Sequence, residues 1–142
     1  MRRLGLLAMT LPWIVVPVAL TRSAAESRQS QADRGRYLVQ EVARCGECHT
    51  PRDAQGEVDR SRWLQGAPMW FRPVHAMPNW AYLAPPLAGL GGLSEVEVTH
   101  ILETGLDPGG KPVRPPMHIY HLSHEDAAAI VAYLKSLSTA QQ

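Results

Sequence analysis

The sequence predicts an all-α domain with three helices and a long proline-rich loop. Residues 31–43, 94–104 and 124–137 each repeat apolar side chains every three or four positions, which is the spacing of an amphipathic helix. No stretch alternates apolar and polar residues as a half-buried strand would. Residues 51–92 show neither period, so we expect them to lack long regular elements.

The first predicted helix, residues 31–43, carries Leu38 and Val42 on one face and Gly35 in its interior. A glycine inside a helix costs about 1 kcal/mol relative to alanine. Close packing against another helix would explain its presence, and a glycine that is merely tolerated is the alternative. The polar residues 27–31 ahead of this helix are expected to form a loose N-terminal arm.

The two later helices have recognisable ends. Ser94 with Glu97 forms a capping-box pattern at the start of the second helix, and Gly105 is suited to end it in a left-handed conformation. Ser123 with Asp126 repeats the start signal before the last helix. Both helices are therefore predicted from local signals as well as from periodicity.

The run Cys45-Gly46-Glu47-Cys48-His49 is the most informative motif in the chain. Its C-x-x-C-H spacing is typical of the attachment site of a c-type haem. The two cysteines can form thioethers to the haem vinyl groups, and the histidine can supply the proximal nitrogen to the iron. A redox dithiol and half of a zinc site are the alternatives. The chain shows no βαβ pattern for the first and has only two cysteines for the second.

The N-terminal residues have the pattern of an export signal. Residues 1–25 contain two early arginines, an apolar run over 4–20 and small residues at 23–25. We therefore predict a signal peptide over 1–25, a folded domain over 26–142, and a periplasmic location. An uncleaved N-terminal anchor is the alternative, and membrane association is expected only in that case.

Charge argues against one class of partner. Removal of residues 1–25 takes away three arginines and no acid, which leaves 11 basic and 13 acidic residues and a formal net charge of −2. The mature chain has no basic stripe, so we expect no binding to nucleic acid.

A haem that carries electrons usually has a second protein ligand, and methionine is the common partner of histidine. Met117 is the first candidate, because it follows Pro115-Pro116 in a loop whose backbone is restricted. Met77, before a proline, is the second choice, and Met69 is a further candidate. His118 lies next to Met117 and could compete for the iron, as could His75 or His100.

Residues 51–92 contain six prolines and three tryptophans, which favours a belt wrapped around the cofactor edge over disorder. A proline-rich loop packed by its own tryptophans is the alternative. The carbonyl that should accept a hydrogen bond from His49 is open at this stage, with Pro51 and Pro68 as candidates. Donors for buried haem propionates are equally open among Arg72, Arg114, Trp70, Trp80 and Tyr82.

Taken together, these motifs resemble the mono-haem class I c-type cytochromes. The resemblance is carried by residues 45–50, by Pro115-Pro116-Met117 and by the Tyr-Leu pattern at 132–137 in the last helix. It implies a cytochrome c-like haem cup in which the first and last helices cross. Gly35 would allow close approach there, with Tyr133 or Leu134 as its partner.

The resemblance is strongest to bacterial cytochromes that serve periplasmic dehydrogenases. It implies an electron carrier with one covalent haem c, ligated by His49 and Met117. A dehydrogenase would be the donor, and a cytochrome or oxidase of the respiratory chain the acceptor. The chain would not be an enzyme itself, although it could be an electron-transfer subunit of one. The alternative is a haem-based gas or ligand sensor with an open or histidine-ligated sixth position.

Overall fold

A computed structural model describes the backbone of residues 18–139 and the side chains of residues 24–137. The architecture is all-α, as predicted. In chain order the elements are α1 (Val18–Tyr37), a π-helical turn (Leu38–Val42), α2 (Gly46–His49), a 3₁₀ turn (Arg60–Arg62), β1 (Ala67–Pro68), β2 (Leu83–Ala84), a second 3₁₀ segment (Ala88–Gly92), α3 (Glu95–Thr104) and α4 (His124–Thr139). The strands β1 and β2 pair antiparallel over two residues each, and two isolated antiparallel bridges join Arg52 to Val58 and Leu106 to Pro112.

The N-terminal helix differs from the prediction at both ends. Residues 27–31, expected as a loose arm, are helical, because α1 already begins at Val18. Side chains 24–31 are all exposed, so this part of α1 has no apolar face that periodicity could reveal. At its other end the helix widens into the π-helical turn, where the amide of Ala43 donates to the carbonyl of Leu38.

The predicted leader lies largely outside the described residues. Residues 1–17 are not described, and residues 18–25 belong to the first turns of α1. No helix within residues 18–139 is long and apolar enough to cross a membrane.

The core forms where α1 crosses α4. Gly35 lies directly against the backbone of Ala129 and the Cβ atom of Tyr133, so the predicted close approach is confirmed. The Tyr133 hydroxyl accepts hydrogen bonds from Nε2 of Gln40 at 3.0 Å and from Nε1 of Trp63 at 3.2 Å. The crossing therefore joins the first helix, the last helix and the proline-rich segment at one buried phenol.

The predicted helix ends of α3 and α4 are also confirmed. The hydroxyl of Ser94 accepts from the amide of Glu97, whose carboxylate in turn accepts from the amide of Ser94 at 2.8 Å. Gly105 ends α3 with φ of 73°. The hydroxyl of Ser123 accepts from the amide of Asp126 at 3.2 Å in the first turn of α4.

The proline-rich segment is attached to the end of α2 through two hydrogen bonds. The carbonyl of His49 accepts from the amide of Gly66 at 2.8 Å, and the Thr50 hydroxyl accepts from the amide of Leu64 at 3.0 Å. Thr50 and Leu64 are both buried. The carbonyl of Leu64 then accepts from the amide of Leu87, so Leu64 connects α2 to the far end of the segment.

The Gly35→Ala substitution tests the helix crossing. A methyl group at this position would overlap the carbonyl oxygen of Ala129. We expect the free energy of unfolding to fall by about 1–3 kcal/mol, as for other overpacked sites. A glycine in an open helix would instead gain about 1 kcal/mol on replacement. Denaturant unfolding of the haem-loaded protein measures the difference, with Gln29→Ala on the exposed part of α1 as the control. A Gly35→Ala protein as stable as wild type would contradict the crossing.

The Thr50→Val substitution tests the attachment of the proline-rich segment. Valine keeps the shape of threonine and removes the acceptor, so the buried amide of Leu64 loses its partner. We expect a cost of about 1–3 kcal/mol for this unpaired donor. Thr50→Ser keeps the hydroxyl and should cost less, about the value of one buried methyl group. Denaturant unfolding of both variants decides, and equal stability of Thr50→Val and wild type would rule out this role of the hydroxyl.

Candidate functional site

The C-x-x-C-H motif lies on a single helical turn that follows a sharp bend in the chain. Arg44 adopts a left-handed conformation, with φ of 49°, between the π-helical turn and α2. The amide of Cys45 donates back to the carbonyl of Val39 at 3.0 Å, and its carbonyl accepts from the amide of His49 at 3.0 Å. Because Cys45 and Cys48 are three apart on this turn, both thiols lie on one side of it.

The ring of His49 is buried and oriented by a backbone carbonyl. Its Nδ1 lies 2.7 Å from the carbonyl oxygen of Pro85. The sequence-based candidates Pro51 and Pro68 are therefore wrong, because the accepting carbonyl belongs to Pro85, directly after β2. Burial lowers the pKa of His49, and the hydrogen bond to Pro85 opposes that change. A neutral ring that donates through Nδ1 keeps a lone pair on Nε2 for a metal.

Gly46, the residue after the first cysteine, is required by packing. A Cβ atom at this position would overlap the indole ring of Trp63. The same indole donates to Tyr133 in the helix crossing. The turn that carries the cysteines therefore lies flat against an aromatic ring that is itself anchored in the core.

Next to this turn the structure contains a cavity of about 740 Å³. This volume is within the range of small-molecule and cofactor sites, roughly 300–1,000 Å³. The motif forms one wall, and apolar side chains from the proline-rich segment and three helical elements form most of the rest. These include Leu83, Ala84, Pro86, Leu87, Leu90, Leu93, Val98, Ile101, Leu102, Val113, Ile130 and Leu134.

The candidate axial ligands are placed differently with respect to this cavity. Met117 lines it together with Cys45, Cys48 and His49, so the four residues predicted for the site are brought together. Met69 and His118 also line the cavity. Met77 is 43% exposed and is not among the lining residues.

The loop between α3 and α4, residues 105–123, carries Met117, and we refer to it as the Met117 loop. Two contacts hold it in place. The Tyr120 hydroxyl donates to the carbonyl of Ala43 at 3.0 Å, which joins this loop to the end of the first helix. Burial is the main cause that raises the pKa of Tyr120 to about 12, so the phenol stays protonated and keeps its donor. On the other side, the amide of Ala81 donates to the carbonyl of Pro115 at 2.6 Å.

The five candidate propionate donors separate into distinct groups. Arg114 lines the cavity and also donates to the carbonyl of Trp80 at 2.9 Å. Trp70 donates instead to the carbonyl of Glu47, and both Arg72 and Tyr82 are exposed. The indole nitrogen of Trp80 is buried and has no hydrogen-bond partner among the described side chains and backbone. Arg114 is thus the one of the five that reaches the cavity wall.

The environment of the two thiols argues against the alternative uses of the motif. Burial raises the pKa of Cys45 to about 11, and burial with the neighbouring Glu47 carboxylate raises the pKa of Cys48. A catalytic dithiol needs a lowered thiol pKa. In the described part of the chain, no three His, Cys, Asp or Glu residues are grouped so that they could hold a metal ion. A structural zinc site needs four such ligands.

The residues present fit a covalently attached haem. Two thiols on one turn face a mainly apolar cavity large enough for a cofactor, and the adjacent buried imidazole keeps one nitrogen for a metal. Sequence reasoning missed Pro85 and Tyr120. Their partners lie 36 and 77 residues away along the chain, and no local pattern indicates such contacts.

Comparison with known proteins agrees with this geometry. The family model for cytochrome c matches residues 32–138. A diheme cytochrome c-type protein of Cereibacter sphaeroides is 37% identical over 112 residues, which cover 74% of this chain and 35% of that protein. The cytochrome subunit of fructose dehydrogenase from Gluconobacter japonicus is 34% identical over 110 residues, 74% of this chain and 22% of that subunit.

A third relative is the cytochrome c subunit of the quinone-dependent alcohol dehydrogenase of Gluconobacter oxydans. It is 33% identical over 114 residues, which cover 73% of this chain and 23% of that subunit. The chain thus spans about a third or less of the length of these relatives. The family match over residues 32–138 agrees with the motif, the cavity and the all-α fold. The chain therefore belongs to the cytochrome c family.

Proposed function

We propose that this chain is a periplasmic electron carrier with one covalently attached haem c, which passes electrons from a dehydrogenase to the respiratory chain. The proposal rests on one observation: the same cavity is lined by Cys45, Cys48, His49 and Met117. The printed names of two relatives, cytochrome subunits of fructose and alcohol dehydrogenases, support a dehydrogenase as the donor.

In this proposal the motif residues attach and orient the cofactor. The two thiols of Cys45 and Cys48 become thioethers, which would remove the cost of ionising buried thiols. His49 would supply Nε2 to the iron, and its Nδ1–H group donates to the Pro85 carbonyl. A carbonyl acceptor makes the imidazole a better electron donor. When bound, the haem supplies reversible one-electron chemistry at its iron.

Met117 is proposed as the second axial ligand. A thioether is a soft ligand and favours the reduced iron, so it raises the reduction potential. Tyr120 and the Ala81–Pro115 hydrogen bond would hold its loop against the cavity. If His49 and Met117 both ligated the iron, a substrate would have no access to it. This arrangement suits a carrier, and we therefore do not propose catalysis.

The Met117→Ala substitution tests this ligand. We expect loss of the sulfur–iron charge-transfer band in the visible spectrum and a fall in reduction potential on the order of 100 mV, because axial ligands are a main control of haem potential. Redox titration followed by absorbance measures both changes.

Two control variants sharpen the result. Met77→Ala and His118→Ala should both leave the spectrum unchanged. Met77 lies off the cavity wall, and His118, although it lines the cavity, is exposed and its ring packs edge-on against Tyr120 at 4.9 Å. Loss of the band in Met69→Ala instead of Met117→Ala would move the ligand to Met69. Loss in His118→Ala would favour histidine ligation.

The carrier function is tested with the purified haem-loaded protein. We expect reversible uptake of one electron and no turnover of peroxide, alcohols, aldehydes or sugars by the protein alone. It should speed the reduction of a terminal acceptor only when a donor dehydrogenase and its substrate are present. The reduced protein should not bind carbon monoxide at neutral pH, because the sixth position is filled. Rapid binding of carbon monoxide would favour the sensor, and unaided turnover lost in His49→Ala would indicate an enzyme.

A further inference from the structure

Residues 69–82 form a loop that crosses the rim of the cavity, and we refer to them as the rim loop. Its two ends are closed by the β1–β2 pair and by the hydrogen bond from the amide of Met69 to the carbonyl of Tyr82 at 2.9 Å. Compact loops with adjacent ends are frequently functional. The rim loop has its own aromatic centre, in which Phe71 packs edge-on against Trp70 and Trp80 at ring distances of 4.9 and 5.6 Å.

The rim loop contacts both ligand-bearing segments. At one end, Nε1 of Trp70 donates to the carbonyl of Glu47, between the two cysteines, at 3.3 Å, and the guanidinium of Arg52 stacks over its ring at 4.5 Å. At the other end, Arg114 donates to the carbonyl of Trp80. The loop therefore spans the cavity rim from the motif to the Met117 loop.

The rim loop and its edge expose an unusual share of apolar surface. Of the ten large hydrophobic side chains that are exposed within residues 24–137, five lie between positions 70 and 83: Trp70, Val74, Met77, Tyr82 and Leu83. Val74, at the tip, is 95% exposed. Aromatic residues and methionine are the types enriched in protein interfaces, and a clustered exposed patch of this kind marks a binding surface.

Charge is unevenly distributed around the same surface. Segments 63–94 and 108–124, which include the rim loop and most of the Met117 loop, contain three basic residues, Arg72, Lys111 and Arg114, and no acidic residue. The other residues from position 26 onward contain eight basic and thirteen acidic residues. The formal net charge of −2 from residue 26 onward therefore divides into +3 for these segments and −5 for the rest.

The cations near the rim are available to a partner. Arg72 and Lys111 make no side-chain hydrogen bond or ion pair within the described part of the protein. Arg114 is bonded only to carbonyl oxygens. The two acids on the cavity wall are already occupied, since Glu47 pairs with two arginines and Asp107 accepts from amides in its own turn.

We propose that the rim loop is the docking surface for the redox partner, and that the partner presents an apolar face edged by carboxylates. The inference rests on the proposed function and names the chemistry of the partner. Apolar side chains of the loop would form the centre of the contact, and Arg72, Lys111 and Arg114 its charged edge. Complementary charge at an edge mainly speeds association and selects the partner. A second copy of this chain fits less well, because pairing two such faces would bring like charges together.

Electrodes of defined surface chemistry provide the test. The probe is gold coated with a mixed monolayer of carboxylate- and methyl-terminated thiols, compared with an amine-terminated monolayer. We expect the haem-loaded wild type to exchange electrons faster on the mixed monolayer. Arg72→Glu and Val74→Ser should each slow this exchange about threefold to tenfold. A change of this size is at the lower end of the effects that charge and surface contacts have on the rate of association.

Matched controls separate the rim loop from the rest of the surface. Arg28→Glu removes an exposed arginine on α1, and Val96→Ser an exposed valine on α3. Both should stay within twofold of wild type, and all four variants should keep the wild-type spectrum. Equal slowing by the control variants, or faster exchange on the amine-terminated monolayer, would overturn the proposal. Sedimentation provides a further check. If the wild type is a dimer and the Val74→Ser variant is a monomer, the surface binds a second copy of this chain and the proposal is overturned.

Failure of this proposal can be told apart from failure of the carrier function. One outcome would overturn the docking surface alone. In it, ascorbate reduces the protein and ferricyanide oxidises it in solution, but electron exchange at the electrode does not depend on the rim loop. Absence of reversible redox chemistry in solution would overturn both.

Discussion

The hydrogen bond between Nδ1 of His49 and the carbonyl of Pro85 is the contact on which the site depends. It joins the motif to a residue 36 positions later, and so decides which side of α2 faces the cavity. A neutral imidazole has one N–H group, and engaging it at Nδ1 reserves Nε2 for another role. The amide of Gly66 donates to the carbonyl of the same histidine. The proline-rich segment, which encloses the cavity, is therefore attached to His49 and also orients its ring.

A long irregular segment can enclose a cavity only if its backbone polar groups find partners. Here they do so through short local turns and a few distant contacts. The Asp53 carboxylate accepts from the amides of Gln55 and Glu57, and Asp59 accepts from that of Ser61. Over the later part of the segment, acceptors come from elsewhere, such as the Thr50 hydroxyl and the Pro115 carbonyl. The belt is therefore ordered by hydrogen bonds as much as by its aromatic side chains.

The interior and the rim of the cavity have different chemistry. Leucine, isoleucine, valine and proline side chains cover the interior, which favours an apolar macrocycle and disfavours water. At the rim, exposed apolar and aromatic side chains such as Val74, Met77 and Trp70 share the rim loop with the exposed cation Arg72. An electron carrier needs both properties, because its cofactor must be shielded from solvent while one edge stays within reach of a partner.

The sequence by itself determined the all-α class, the haem-binding motif and the ends of α3 and α4, because each depends on residues within a few positions of one another. The resemblance to the class I c-type cytochromes implied the helix crossing, with Gly35 as the point of close approach. Tertiary structure alone decided the roles of Pro85, Leu64 and Tyr120, since each acts on a partner far along the chain. The same holds for the exposed helical start of α1, where the absence of an apolar face removed the signal that periodicity relies on.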